Sequence, residues 1–117
     1  LGELNYTIDN LLHEESLRLV QTEIENNTEE KLAVFTHHCP TLLQYPAQYK
    51  GSILNEAFAV ELFDLIEASE ITCWMYGHHH TNTPEFMIGK TKLLTNQLGY
   101  LQLNEHGLFE ANKCIEL

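Results

Sequence analysis

The stretch Ile71-Thr-Cys-Trp-Met-Tyr-Gly-His-His-His80 reads as a short apolar strand that runs into Gly77 and then presents three consecutive histidines. A strand end is a rigid mount for a ligand, and glycine permits a tight exit turn that most residues resist. Successive side chains of an extended backbone point to opposite sides, so His78 and His80 start on one side and His79 on the other. Neutral imidazole is the commonest protein metal ligand, and two imidazoles converging from one loop suit a metal site. The competing reading is a polar loop that happens to be rich in histidine. An internal position directly behind an apolar strand argues against a tag remnant.

A second stretch follows the same logic. Lys31–Thr36 (KLAVFT) reads as a short buried strand ending in His37-His38-Cys39-Pro40-Thr41. Pro40 cannot donate to a ladder, so the chain leaves the sheet there. In sheets flanked by helices, ligands gather outside the C-terminal strand ends. One histidine at such a place is ordinarily structural, but two strands ending alike point both groups at one site. Cys39 could approach a metal, although nitrogen and oxygen ligands suffice without it.

The remaining chain supplies the frame. Leu11–Glu25 is expected to be a helix, with Leu17, Val20 and Ile24 at helical spacing, Asp9 and Asn10 as candidate caps, and Asn26-Asn27 as the stop. His13 reads as a surface residue of its first turn. Residues 42–54 read as a loop in which Tyr45, Tyr49 and Lys50 could touch a substrate. A second helix is expected from Glu56 to Ala68, capped by Asn55, with Phe58, Leu62, Leu65 and Ile66 as its apolar stripe and Ala59 and Phe63 widening it. Glu85–Ile88, Lys92–Thr95, Tyr100–Leu103 and Leu108–Glu116 read as strands, with a hairpin turn at Gly89-Lys90. The order of elements gives an α/β layer followed by an antiparallel finish, and no linker divides residues 1–117 into domains.

Composition narrows the function. The net charge of -11, from 17 acidic and 6 basic residues, disfavours a nucleic-acid surface, which needs Lys and Arg to replace counterions. It leaves a phosphate-bearing small molecule open, because bound cations can reverse a local field. No apolar run approaches the roughly 20 residues that span a bilayer, so no membrane partner is expected. Cys39, Cys73 and Cys114 are odd in number and widely spaced, which reads as a reducing, cytoplasmic compartment and not a disulfide framework.

Together the two histidine stretches resemble the calcineurin-like metallophosphoesterases. Val34-Phe-Thr-His-His-Cys-Pro-Thr41 is similar to that family's V-x-T-H-H-x-P-S segment, and Gly77-His-His-His80 to its G-H-x-H motif. His13-Glu-Glu-Ser16, Leu54-Asn-Glu-Ala-Phe58, Ile88-Gly-Lys-Thr91 and Asn96-Gln-Leu-Gly-Tyr100 extend the likeness over nearly the whole chain. The resemblance implies the C-terminal half of a four-layer αββα sandwich. It implies a centre of two divalent ions, Mn first and Fe or Zn as alternatives, hydrolysing a phosphate mono- or diester.

Carried over by position, His37 and His78 bind one metal and His80 the other. His38 and His79, the intervening histidines, either make a hydrogen bond on the far side of the strand end, hold a ligand from behind or face the substrate. Asn96 could sit near the site. The family's D-x-H, G-D-x-x-D and G-N-H motifs are absent, and the aspartates here are Asp9 and Asp64 alone. The resemblance therefore assigns the bridging carboxylate and the remaining ligands to a missing N-terminal half, which becomes an expected partner. Gln97 and Leu98 replace the Pro and Arg of the relatives' N-P-R-G-Y. The residues alone leave a non-catalytic metal-binding or protein-interaction module, and a purely structural domain, as alternatives.

Overall fold

The computed structural model describes residues 2–45, 47–49 and 61–117. The chain divides into two compact units, Leu1–Glu30 and Lys31–Leu117. The first unit is dominated by helix α1 (Gly2–Glu25). It begins well before Leu11, so Asp9 and Asn10 lie inside the helix and do not cap it. Leu17, Val20, Gln21 and Ile24 are its less exposed residues over 13–25, one stripe at helical spacing, and His13 is exposed. Asn27 closes the segment after it: its side-chain amide donates to the Glu29 carbonyl (2.9 Å) and accepts the Glu29 N–H (3.3 Å).

The second unit is a mixed α/β arrangement around a four-stranded sheet. Its strands are β1 (Ala33–Phe35), β2 (Cys73–Met75), β3 (Phe86–Ile88) and β4 (Thr91–Leu94), in the order β1-β2-β4-β3. β1 and β4 both run parallel to β2, while β3 is antiparallel to β4. Three C-terminal strand ends, after Phe35, Met75 and Leu94, therefore leave the sheet at one edge. The hydrogen bonding continues past β1 and β2: Thr36 N–H donates to the Met75 carbonyl (2.9 Å) and Gly77 N–H to the His37 carbonyl (3.0 Å).

The sheet core comprises Ile71, Cys73, Trp74, Ile88, Leu93 and Leu94, with Ile66 from helix α2 (Phe63–Ala68). Four of these, Cys73, Trp74, Leu93 and Leu94, sit on the two central strands, where both faces are covered, which accounts for their near-continuous apolar run. Thr91 is also fully buried and satisfies its hydroxyl by donating to the Ile71 carbonyl (2.9 Å). β1, by contrast, is an edge strand, and Phe35 is 69% exposed. The expectation of a buried first strand is corrected accordingly: Ala33 and Val34 are half-buried and Phe35 is exposed.

The hairpin at Gly89-Lys90 joins β3 to β4, as its sequence predicts. Gly89 has φ of 56°, and a Cβ there would lie 3.0 Å from the Glu67 carbonyl, so the turn presses against α2. The expected helix from Glu56 is observed over Phe63–Ala68. Asn55, Phe58 and Ala59 lie outside the described residues. Glu61 and Leu62 are not helical, because they hold the histidine-bearing loop: the Glu61 carboxylate accepts from Thr41 Oγ1 (2.7 Å), Leu42 N (3.1 Å) and Phe63 N (3.0 Å), and Leu62 N–H donates to the Pro40 carbonyl (2.9 Å).

The antiparallel finish stops at β4. Leu101–Leu103 and Glu105–Leu108 are short 3-10 turns, not strands, and the chain after Phe109 is irregular. Leu101, Leu103 and Leu108 are exposed, so their spacing does not reflect a buried face. Asn96 ties this tail down: its side chain donates to the Glu110 carbonyl (2.8 Å) and accepts the Glu110 N–H (3.0 Å). No helix of the described residues is long and apolar enough to cross a membrane.

Candidate metal centre

The parallel pairing of β1 and β2 sets Phe35 opposite Met75, so the residues that follow each strand emerge side by side. His37, His38 and His78 meet there. One nitrogen from each ring lies within 4.8 Å of the other two, and His78 Nδ1 is 2.8 Å from His37 Nε2. Two nitrogens each about 2.1 Å from a shared ion at a tetrahedral angle stand roughly 3.4 Å apart. His37 and His78 thus stand closer than two ligands of one ion and would have to part slightly, while His38, within 4.8 Å of both, would adjust with them to hold one cation. Burial first, and the neighbouring His37 and His80 second, hold the His78 imidazole below its ordinary value of 6.5 and favour the neutral, ligating form.

The scaffold behind this group is specific. Thr36 Oγ1 accepts from the indole N–H of fully buried Trp74 (2.9 Å) and donates to the His38 carbonyl (2.8 Å). A core side chain thereby fixes the start of the histidine loop. His78 occupies φ of 75°, and the His79 N–H donates across it to the Gly77 carbonyl (3.0 Å), closing a tight three-residue turn on His78 itself. The left-handed conformations expected of a glycine exit thus fall on His78 and on His80 (φ 54°), and not on Gly77. Non-glycine residues held this way cost about 1–3 kcal/mol each and concentrate at functional sites.

The three consecutive histidines go three ways. His78 joins His37 and His38. His79 turns into the interior, 8% exposed, with Nε2 2.6 Å from the hydroxyl of Tyr45. His80 places Nδ1 3.0 Å from Glu105 Oε2 and packs edge-on to Tyr100, ring centroids 4.7 Å apart. The simple alternation that would put His78 and His80 on one side therefore does not hold: the two left-handed residues break the extended backbone that it requires.

Among the residues named from sequence, His37 and His78 come together and His38 joins them, whereas His80, expected to bind the other metal of a pair, lies outside this group. Tyr45 is buried and bonded to His79, so it is not an exposed loop aromatic; the side chains of Tyr49 and Lys50 lie outside the described residues. Cys39 is buried beside Tyr45 and Tyr76, and its thiol donates to the Thr41 carbonyl (3.0 Å). Burial raises that thiol, with Glu61 adding to the shift, which opposes the thiolate a metal needs. Asn96 is engaged with Glu110, away from the role considered for it.

Glu105 and Asn82, which with Gln97 grip the loop, gave no signal in sequence because each is a common polar residue, and Gln97 stood out there only as a departure from N-P-R-G-Y. Among the described residues no carboxylate belongs to the histidine group. Three imidazoles fit one ion. A pair of ions bridged by a carboxylate would need donors from elsewhere. No family model matches this sequence, and neither a curated protein nor a solved structure does.

Proposed function

We propose that residues 31–117 form the histidine-bearing half of a metal-dependent phosphoesterase site, acting on a phosphate mono- or diester of a small molecule. The observation that carries this reading is the meeting of His37, His38 and His78 at two parallel strand ends, in the two motifs that resemble the metallophosphoesterases. Bound divalent cations would supply the Lewis-acid chemistry of phosphoryl transfer. The part of this chain is to fix imidazole donors at a strained, preorganised loop, with His79 buried behind them. The bridging carboxylate and the leaving-group acid would come from a further segment, in a four-layer sandwich completed by it. An all-nitrogen donor set suits Zn or Fe better than Mn.

A second reading is a non-catalytic metal-binding module, favoured by the absence of a carboxylate from the group among the described residues. Hydrolysis of aryl phosphate mono- and diesters separates the two. Residues 1–117 would be assayed alone and in a longer product of the same gene, with Zn, Fe and Mn supplied in turn. The enzyme reading expects turnover in the longer product that His37→Ala and His78→Ala abolish. Metal uptake by folded protein without turnover in either form would leave the binding module.

A further inference from the structure

We infer that Gln97 and Glu105 are positioning residues that orient His80 and present its Nε2 as a lone-pair donor. The meaning of that lone pair rests on the metal-centre reading above, but the orientation itself does not. A carboxylate only accepts hydrogen bonds. With Glu105 Oε2 3.0 Å from His80 Nδ1, the ring proton of a neutral His80 sits on Nδ1, which leaves the lone pair on Nε2. A metal-ligating histidine typically has this arrangement, one nitrogen held by a carboxylate and the other offered to the ion.

Three further observations place Glu105 there by design of the local chain. Asn104 takes φ of 56° immediately before it. The Tyr100 N–H donates to the same Oε2 (2.6 Å), so the carboxylate is held from two sides. Gly99 has φ of 65°, and a Cβ there would lie 2.5 Å from Glu105 Cβ and 2.8 Å from Oε2, so only glycine leaves room for the pair.

Gln97 fixes the backbone of the same loop. Its side-chain oxygen accepts the His80 N–H (2.7 Å), and its amide donates to the Thr81 carbonyl (3.1 Å) and Thr95 Oγ1 (2.8 Å). Its own N–H and carbonyl are paired with the side chain of Asn82 (2.6 and 2.9 Å). The parallel run of β4 beside β2 is what brings residue 97 to the histidine loop. A left-handed His80 persists because five hydrogen bonds around it leave little else to adopt.

The test uses the full 117-residue chain, labelled with 15N, without metal and near pH 8, with the His80 ring assigned by its loss in His80→Gln. Long-range 1H–15N correlations are expected to show Nδ1 protonated and Nε2 bare in the wild type. Glu105→Ala shifts the ring toward the Nε2-protonated form, and Glu105→Gln, whose amide oxygen still accepts, restores much of the original. Gln97→Ala raises exchange of the His80 amide at least about tenfold and leaves Trp74 and Leu93 unchanged, marking a local opening.

His80 lies outside the group of His37, His38 and His78, so titration with zinc chloride alone is expected to show a second, separate binding event whose affinity falls about 10- to 100-fold in Glu105→Ala and in His80→Ala. An Nε2-protonated His80 in the wild type overturns the orientation. The expected tautomer with zinc affinity unmoved in Glu105→Ala, while His80→Ala weakens it, overturns the positioning role. A tautomer switch in Glu105→Ala by a chain that binds no zinc upholds the orienting contact and rejects the metal reading instead.

Discussion

His78 Nδ1 lies 2.8 Å from His37 Nε2, across 41 positions of sequence. A hydrogen bond between two neutral imidazoles uses one proton and one lone pair, whereas a shared cation uses a lone pair from each ring. The same pair can therefore exchange its hydrogen bond for a metal without rebuilding the backbone.

His37→Ala and His78→Ala are each expected to lower zinc affinity by at least about tenfold, read by titration calorimetry, since each deletes one of three donors. Neither should lower stability by more than about 1 kcal/mol, because neither ring is in the core. His78→Gly is the sharper variant. It loses the ligand yet relieves a φ of 75°, so its melting temperature should equal or exceed that of His78→Ala. A lower one would show that the turn is not strained.

Tyr45→Phe removes the hydroxyl 2.6 Å from His79 Nε2 in a buried setting. Loss of a partner to a buried polar group costs about 1–3 kcal/mol. Urea denaturation should show that loss in the midpoint with the slope unchanged.

The pH dependence follows from His79 and His78. Burial first, and the charges of neighbouring histidines second, hold both imidazoles below 6.5. Between that value and their lower folded values the unfolded chain binds more protons than the folded one, so unfolding is favoured as pH falls. The contribution is complete above about 6.5 and is lost as pH drops through the folded values. Thermal unfolding from pH 8 to pH 5 should show it, and His79→Gln should flatten the slope.

Thr36→Val keeps the shape of the residue but removes the oxygen that accepts from Trp74 Nε1 (2.9 Å) and donates to the His38 carbonyl (2.8 Å). The indole N–H of a fully buried side chain then loses this acceptor, at about 1–3 kcal/mol. Zinc affinity should fall with stability, since the loop of His37 and His38 is no longer tied to the core. Unchanged affinity would separate the metal group from the Trp74 scaffold.

Gly99→Ala combines a left-handed φ of 65° with a Cβ 2.5 Å from Glu105. Both effects destabilise, together by at least about 1 kcal/mol. Measured melting should fall, and an Asn at the same position, which tolerates that φ but not the lack of space, should do no better.

Much of the scaffold could be read from residue order. Alternating apolar stretches placed β1, β2, β3 and β4 within a residue or two, and Gly89-Lys90 located the hairpin. The strands proposed at Tyr100–Leu103 and Leu108–Glu116 became 3-10 turns and irregular chain, since spacing of leucines cannot reveal that nothing covers them.

The sequence by itself determined that two apolar strands end in histidines, and offered His37, His78 and His80 as the candidates to meet. Only the tertiary structure decided the rest: that His38 completes the group, that His79 is buried on Tyr45, and that His80 is held by Glu105 and Gln97. The reason is that strand character is a local property of side-chain pattern. The direction of a ring leaving a strand depends instead on the φ of two left-handed residues, and on polar partners that parallel strands deliver from 25 and 17 positions away.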